Sequence, residues 1–113
     1  MDRDELQKLI EKGETHTVEF KESLGLIDEI GEEISALSNS NGGTTLVGVT
    51  DNREIIGVQT GKKTLEDLAN YIKTHTDNHV FPKVSVADID GKTVISIEVI
   101  VNAITFWTNG VSI

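Results

Sequence analysis

The chain has 113 residues, the length of a single domain. Apolar residues make up 37% and charged residues 26%, as in folded proteins, and no run approaches the roughly 20 apolar residues of a membrane helix. Cysteine is absent, which excludes disulfide scaffolds, cysteine-ligated metals and thiol catalysis. The N-terminus is polar and acidic, unlike a secretory signal, so we expect a cytoplasmic protein without membrane contact.

The formal net charge of −9 is unfavourable for binding nucleic acid, because phosphate neutralisation needs a basic surface. The acidity is uneven, however. Residues 1–33 contain 11 acidic and 4 basic side chains, whereas residues 34–113 contain 8 and 6. A local basic surface in the later part of the chain is therefore compatible with the composition.

Three elements are predicted in the first third of the chain. Asp2 and Glu5 form a capping-box pattern ahead of an amphipathic helix that Gly13 would end. Residues 17–21 are rich in strand formers and predict a short strand. Apolar residues then repeat at helical spacing and predict a second helix over residues 27–37.

The rest of the chain predicts strands and one more helix. Residues 44–50 and 54–58 predict a hairpin, followed by a helix that Thr64 would cap and a turn around residues 77–82. Two further strands, over residues 84–89 and 93–101, are joined at Asp90 and Gly91, a strong hairpin signal. The order of elements indicates a single α/β (α+β) domain over residues 1–113, with helices packed on a mixed, largely antiparallel sheet.

Glycines and lysines supply one set of candidate binding residues. Asn41, Gly42 and Gly43 either end a helix in a turn or let the backbone approach a phosphate closely. The stretch 57–64 fails as a P-loop, because three residues separate its glycines where four are needed. Lys62 and Lys63 nevertheless stand near a helix start, where cations and N–H groups favour a phosphate.

Carboxylates supply a second set. Glu14, Glu19 and Asp51 come from different predicted elements, and together they would suit Mg²⁺ or Mn²⁺, which prefer oxygen ligands. Such a site would activate water for phosphodiester cleavage. The alternative is that Glu14 is solvated, Glu19 pairs with Lys21 or an arginine, and Asp51 forms a turn.

Four sequence blocks resemble the Schlafen AlbA-type domain, a DNA-binding type found in bacterial and archaeal regulators. They are VEFKES at 18–23, SALSNSNGG at 35–43, LVGVTDN at 46–52 and IIGV at 55–58, in this order. The resemblance covers residues 5–101. After Val101 the chain departs from the family pattern, since the Lys-Pro pair and the terminal arginine are missing. We therefore expect a truncated or variant C-terminus.

The resemblance implies a nucleic-acid-binding domain of a transcriptional regulator, acting on DNA or RNA as a homodimer. The contacts would come from lysines and exposed backbone: Lys21, Asn41, Gly42, Gly43, Lys62 and Lys63. It also implies an alternative, because one family branch cleaves structured RNA with three acidic residues and a divalent metal. Glu14, Glu19 and Asp51 match those three positions. A third alternative is a protein-interaction or dimerisation module whose acidity meets a basic partner.

Overall fold

The computed structural model describes residues 1–26, 34, 42–75 and 80–101. In chain order the described elements are helix α1 (Arg3–Lys12), strand β1 (Val18–Lys21), a 3₁₀ turn (Leu24–Leu26), strand β2 (Gly43–Val47), helix α2 (Lys62–His75), strand β3 (Val80–Ile89) and strand β4 (Lys92–Val101). The second predicted helix lies outside the described residues, apart from Ile34, which is helical and buried. No helix in the described part is long and apolar enough to cross a membrane.

The four strands form one sheet in the order β1-β2-β4-β3. β1 pairs with β2 in parallel, while β2–β4 and β3–β4 are antiparallel, so the predicted mixed, largely antiparallel sheet is confirmed. The parallel pair requires the intervening chain to cross over, which is why β1 and β2 are separated by more than twenty residues.

Apolar side chains cover both faces of the sheet. On one face α1 packs through Leu6 and Ile10 onto Phe20 and Leu46. On the other face α2 packs onto the centre of β4; this second core consists of Ile34, Val47, Leu68, Ile72, Ile95, Ile97 and Val99. The described elements therefore form three layers, helix–sheet–helix, and β4 is buried on both sides.

Helix α1 forms as its sequence predicts. The Asp2 carboxylate accepts a hydrogen bond from the Glu5 N–H at 2.9 Å, and the Gly13 N–H closes the last turn on the Leu9 and Ile10 carbonyls. Its inner face buries Leu6 and Ile10. The helix thus presents one apolar stripe to the sheet and acidic side chains to solvent.

The outer edge of β1 is closed by the residues that precede it. Thr15 pairs with Val18 through two backbone hydrogen bonds, and the Glu14 carboxylate accepts the Phe20 N–H at 3.1 Å. An edge strand exposes backbone groups that other chains can pair with. Residues 14 and 15 bond to three of these groups, the Val18 N–H, the Val18 carbonyl and the Phe20 N–H.

Several predicted boundaries were wrong. α2 begins at Lys62, and Thr64 lies inside it, accepting the Gly61 N–H instead of capping the helix. Residues 54–58 form no strand; a single bridge joins Ile55 to Val49. The turn expected up to residue 82 is part of β3, where Pro82 is tolerated because β3 lies at the end of the sheet.

Candidate nucleic-acid interface

Three backbones cross beyond the end of β2. The Gly48 carbonyl accepts hydrogen bonds from the Ile56 and Gly57 N–H groups at 2.8 and 3.0 Å, and the Val58 N–H donates to the Thr93 carbonyl at 2.8 Å. Segment 56–58 therefore takes the place that β2 would have occupied beside the start of β4. The glycines of the LVGVTDN and IIGV blocks are the residues that let these backbones touch.

An open groove of about 630 Å³ runs between this segment and the β3–β4 turn. Its lining is mostly polar side chains and backbone: Ile56, Gly57, Val58, Gln59, Thr60, Gly91, Lys92 and Thr93. None of these residues is aromatic, so the lining offers hydrogen bonds and one cation and no stacking surface for a base.

One lysine lines this groove, and two more follow its lining segment in sequence. Lys92 lies in the lining, and its Nζ donates to the Ile55 carbonyl at 3.1 Å. Lys62 and Lys63 start α2 directly after Gly61, and the Lys63 side chain is exposed. Residues 56–63 and 90–93 together contain three basic residues and one acidic residue. The acidic residue, Asp90, faces Arg3 at 3.4 Å.

The other predicted binding residues lie elsewhere. Lys21 is half-buried at the end of β1. Gly42 is buried, and a Cβ there would lie 2.5 Å from the Val99 carbonyl, so close packing against β4 explains this glycine. Gly43 begins β2 opposite Val99, and Asn41 lies outside the described residues.

The three predicted metal ligands occupy different environments. Glu14 holds the Phe20 N–H at the edge of β1, whereas the half-buried Glu19 projects from β1 on the α2 face. Asp51 is exposed in the turn after β2. Their carboxylates suit a hard divalent cation, but the described residues contain no group of three or more acidic or histidine side chains placed to hold one.

Arg53, two residues after Asp51, contacts the end of α1. Arg53 donates from Nη1 to the Glu11 carbonyl at 2.9 Å, and its stem lies against Gly13. This contact fastens the turn containing Asp51 to the end of α1, one residue before Glu14. The arginine satisfies a carbonyl at the helix C-terminus, where a cation is also favoured by the helix dipole.

Sequence reasoning missed Lys92 as a groove residue. The residue lies thirty positions beyond Lys62, and only the crossing of segment 56–58 over the start of β4 brings the two regions together. The one signal available was the pair of blocks containing Gly48 and Gly57, whose glycines indicate close backbone approach.

Comparison with known proteins agrees with this fold. Residues 14–104 match the family model described as Schlafen, AlbA_2, and the chain belongs to this family. No curated protein matches the chain.

Two solved structures are similar to it. One is the DIP2311 protein of Corynebacterium diphtheriae, with a TM-score of 0.60 and 23% identity over 77% of this chain and 18% of that chain. The other is the N-terminal domain of a Nitrosomonas europaea protein described as related to the ATP-dependent DNA helicase RecG, with a TM-score of 0.57 and 22% identity over 85% of this chain and 68% of that one. The chain thus spans less than a fifth of the length of the first of these proteins. Both similarities concern the fold alone.

Proposed function

We propose that this domain binds nucleic acid through the groove between segment 56–60 and the β3–β4 turn. The observation that carries the proposal is a polar, open groove lined by Lys92, with Lys62 and Lys63 starting α2 two and three residues after the lining residue Thr60, in a chain of net charge −9. Membership of the Schlafen, AlbA_2 family and the fold shared with a domain of a helicase-related protein support it.

The chemistry of the groove favours contacts with phosphates over contacts with bases. Lysine ammonium groups and backbone N–H groups bind phosphate oxygens without reading the sequence. The groove offers no aromatic platform among its lining residues, so single-stranded bases gain little there by stacking. We therefore expect weak sequence preference and a binding constant dominated by released counterions.

Fluorescence anisotropy with labelled duplex and single-stranded DNA and RNA tests this proposal. The logarithm of the binding constant should fall linearly with the logarithm of the salt concentration, by roughly 0.9 per phosphate contacted in duplex DNA. Replacing Lys62, Lys63 and Lys92 together by Ala should weaken binding and reduce this slope by up to about three.

A matched control removes the same charge elsewhere. Lys8 and Lys12 are exposed on α1, and Lys83 is exposed on β3, away from the groove. Alanine at these three positions should leave the slope close to that of the parent protein. Equal losses in both triple variants, or no binding by the parent protein to any of the four probes, would refute the proposed groove.

The metal-dependent ribonuclease alternative gains no support from the arrangement of Glu14, Glu19 and Asp51. It stays a prediction, as does the role in transcription. Cleavage of structured RNA that requires Mg²⁺ or Mn²⁺ and is lost in Glu19→Gln would establish it.

A further inference from the structure

The two outer edges of the sheet differ. Glu14 and Thr15 bond to Val18 and Phe20 along the edge of β1, whereas no described strand pairs with the outer edge of β3. β3 is ten residues long, twice the usual strand length. A long edge without a pairing strand is a template for another strand.

The hairpin turn determines which backbone groups of β3 point outward. Ile89 and Lys92 flank the two-residue turn and form its closing hydrogen-bonded pair. Because the pattern alternates along an antiparallel ladder, the N–H and C=O groups of Val84, Val86 and Asp88 point away from β4. Pro82 has the same orientation, and its missing N–H therefore costs the sheet no hydrogen bond.

An exposed apolar side chain marks the middle of this edge. Val86 is 43% exposed, and Ile56 is the other large apolar residue found exposed in the described part of the chain. Val84, two residues earlier on the same face, is packed at the margin of the α2 core. A strand added beside β3 would cover Val86 and extend that core.

We propose that a second copy of this chain pairs with β3 across this edge, antiparallel and centred on Val86. The two-fold register places Val86 opposite Val86 of the other copy and Val84 opposite Asp88, so all outward groups from 84 to 88 find partners. Pro82 falls beyond this ladder. Lys83 lies opposite Ile89, and no like charges face each other directly.

The size and charge of this interface define a weak dimer. Five paired residues on each side bury less than the roughly 1,200 Å² of a stable specific interface. Each copy also carries a net charge of −9, and the two repel. Added salt screens this repulsion and strengthens the dimer, whereas it weakens binding to nucleic acid.

The pairing has a consequence that rests on the proposed function. Gly91 lies five positions after Val86, so at about 3.4 Å per residue on each side of the two-fold axis the two hairpin turns lie about 34 Å apart. One turn of B-DNA repeats every 34–36 Å, the separation of half-sites for dimeric binders. The register thus places the two grooves at a spacing that suits successive turns of one duplex.

Cysteine cross-linking tests the register, because the natural chain has no cysteine. In Val86→Cys the two thiols face each other with Cα atoms about 5.5 Å apart, within the range of a disulfide. In Asp88→Cys, on the same face of the same strand, the two thiols are about 14 Å apart along the strands. Under mild oxidation with diamide, Val86→Cys should form a covalent dimer at least tenfold faster than Asp88→Cys. Equal rates would overturn the register.

Sedimentation equilibrium tests the association itself. The dimer fraction of the parent protein should rise with salt, and Val86→Lys should be monomeric while its circular dichroism stays native. Ile56→Lys, the same change at the other exposed apolar residue, should dimerise like the parent. A parent protein that is monomeric at all concentrations would overturn the proposal. This result leaves salt-dependent binding of nucleic acid by the monomer intact, so the two proposals fail separately.

Discussion

Gly48 and Gly57 are packed backbone to backbone: a Cβ on Gly48 would lie 3.2 Å from the Gly57 Cα and 3.1 Å from the Thr93 carbonyl. Both glycines have positive φ angles, 104° and 77°. A side chain at either position is therefore unfavourable for two reasons: the backbone has a left-handed conformation, and the neighbouring backbone leaves no room for a Cβ. It also forms one wall of the candidate interface, so the fold and the groove depend on the same two residues.

Gly48→Ala and Gly57→Ala should each lower the free energy of unfolding by about 1–3 kcal/mol, because a left-handed backbone and a close contact are both imposed on the new side chain. Urea denaturation measures the change. Gly25→Ala is the control, since Gly25 is exposed, lacks a positive φ and has its nearest atom at an ordinary 3.5 Å. Equal stability of the Gly25 and Gly48 variants would contradict the described crossing.

The Glu14 carboxylate contributes to the stability of the fold through a hydrogen bond, and two substitutions can separate the effect of this bond from the effect of its charge. Its carboxylate accepts the Phe20 N–H at the edge of β1. Glu14→Ala should destabilise the protein by about 0.5–1.5 kcal/mol, whereas Glu14→Gln keeps an acceptor oxygen and should be nearly neutral. Thermal denaturation of the two variants distinguishes the cases. A Gln variant as unstable as the Ala variant would show that the charge, and not the hydrogen bond, holds the edge.

The Asp2 cap of α1 should make the stability of the folded protein depend on pH. The hydrogen bond from the Glu5 N–H lowers the pKa of the Asp2 carboxyl below its ordinary value of 3.8. A carboxyl with a lowered pKa in the folded state stabilises that state above its unfolded pKa, and the contribution disappears as pH falls through the folded pKa. Asp2→Ala should therefore be less stable than the parent at neutral pH, and the difference should shrink below pH 3.8. Urea denaturation at several pH values measures it, and a difference that grows in acid would contradict the cap.

Local patterns predicted the elements whose causes are local. Asp2 and Gly13 mark both ends of α1, and Asp90 and Gly91 join β3 to β4, because capping and turn geometry depend on a few neighbouring residues. The alternating apolar residues of β4 indicated a strand. The burial of β4 on both faces is a finding of the structure, because it depends on where α1 and α2 pack.

Long-range relationships could not be predicted in this way. Pro82 indicated a turn, since only the position of β3 at the end of the sheet makes proline acceptable there. The predicted partner strand over residues 54–58 is displaced because Gly48 bends the chain and Val58 bonds to Thr93 instead. Lys92 joined the groove only through that displacement.

Arg53 links the turn after β2 to the C-terminal end of α1. It adopts a φ of 69°, an uncommon backbone for a residue with a side chain, while its guanidinium bonds to the Glu11 carbonyl and its stem covers Gly13. Arg53→Ala should remove the bond and keep the unfavourable backbone, whereas Arg53→Gly should remove both.

We expect Arg53→Ala to be the less stable of the two, and amide hydrogen exchange in the last turn of α1 to accelerate in both variants. Exposed Lys8, on the same helix, offers Lys8→Ala as a control that leaves this exchange unchanged. Unaltered exchange in the Arg53 variants would mean that Leu6 and Ile10, buried against the sheet, hold the helix without help from the turn.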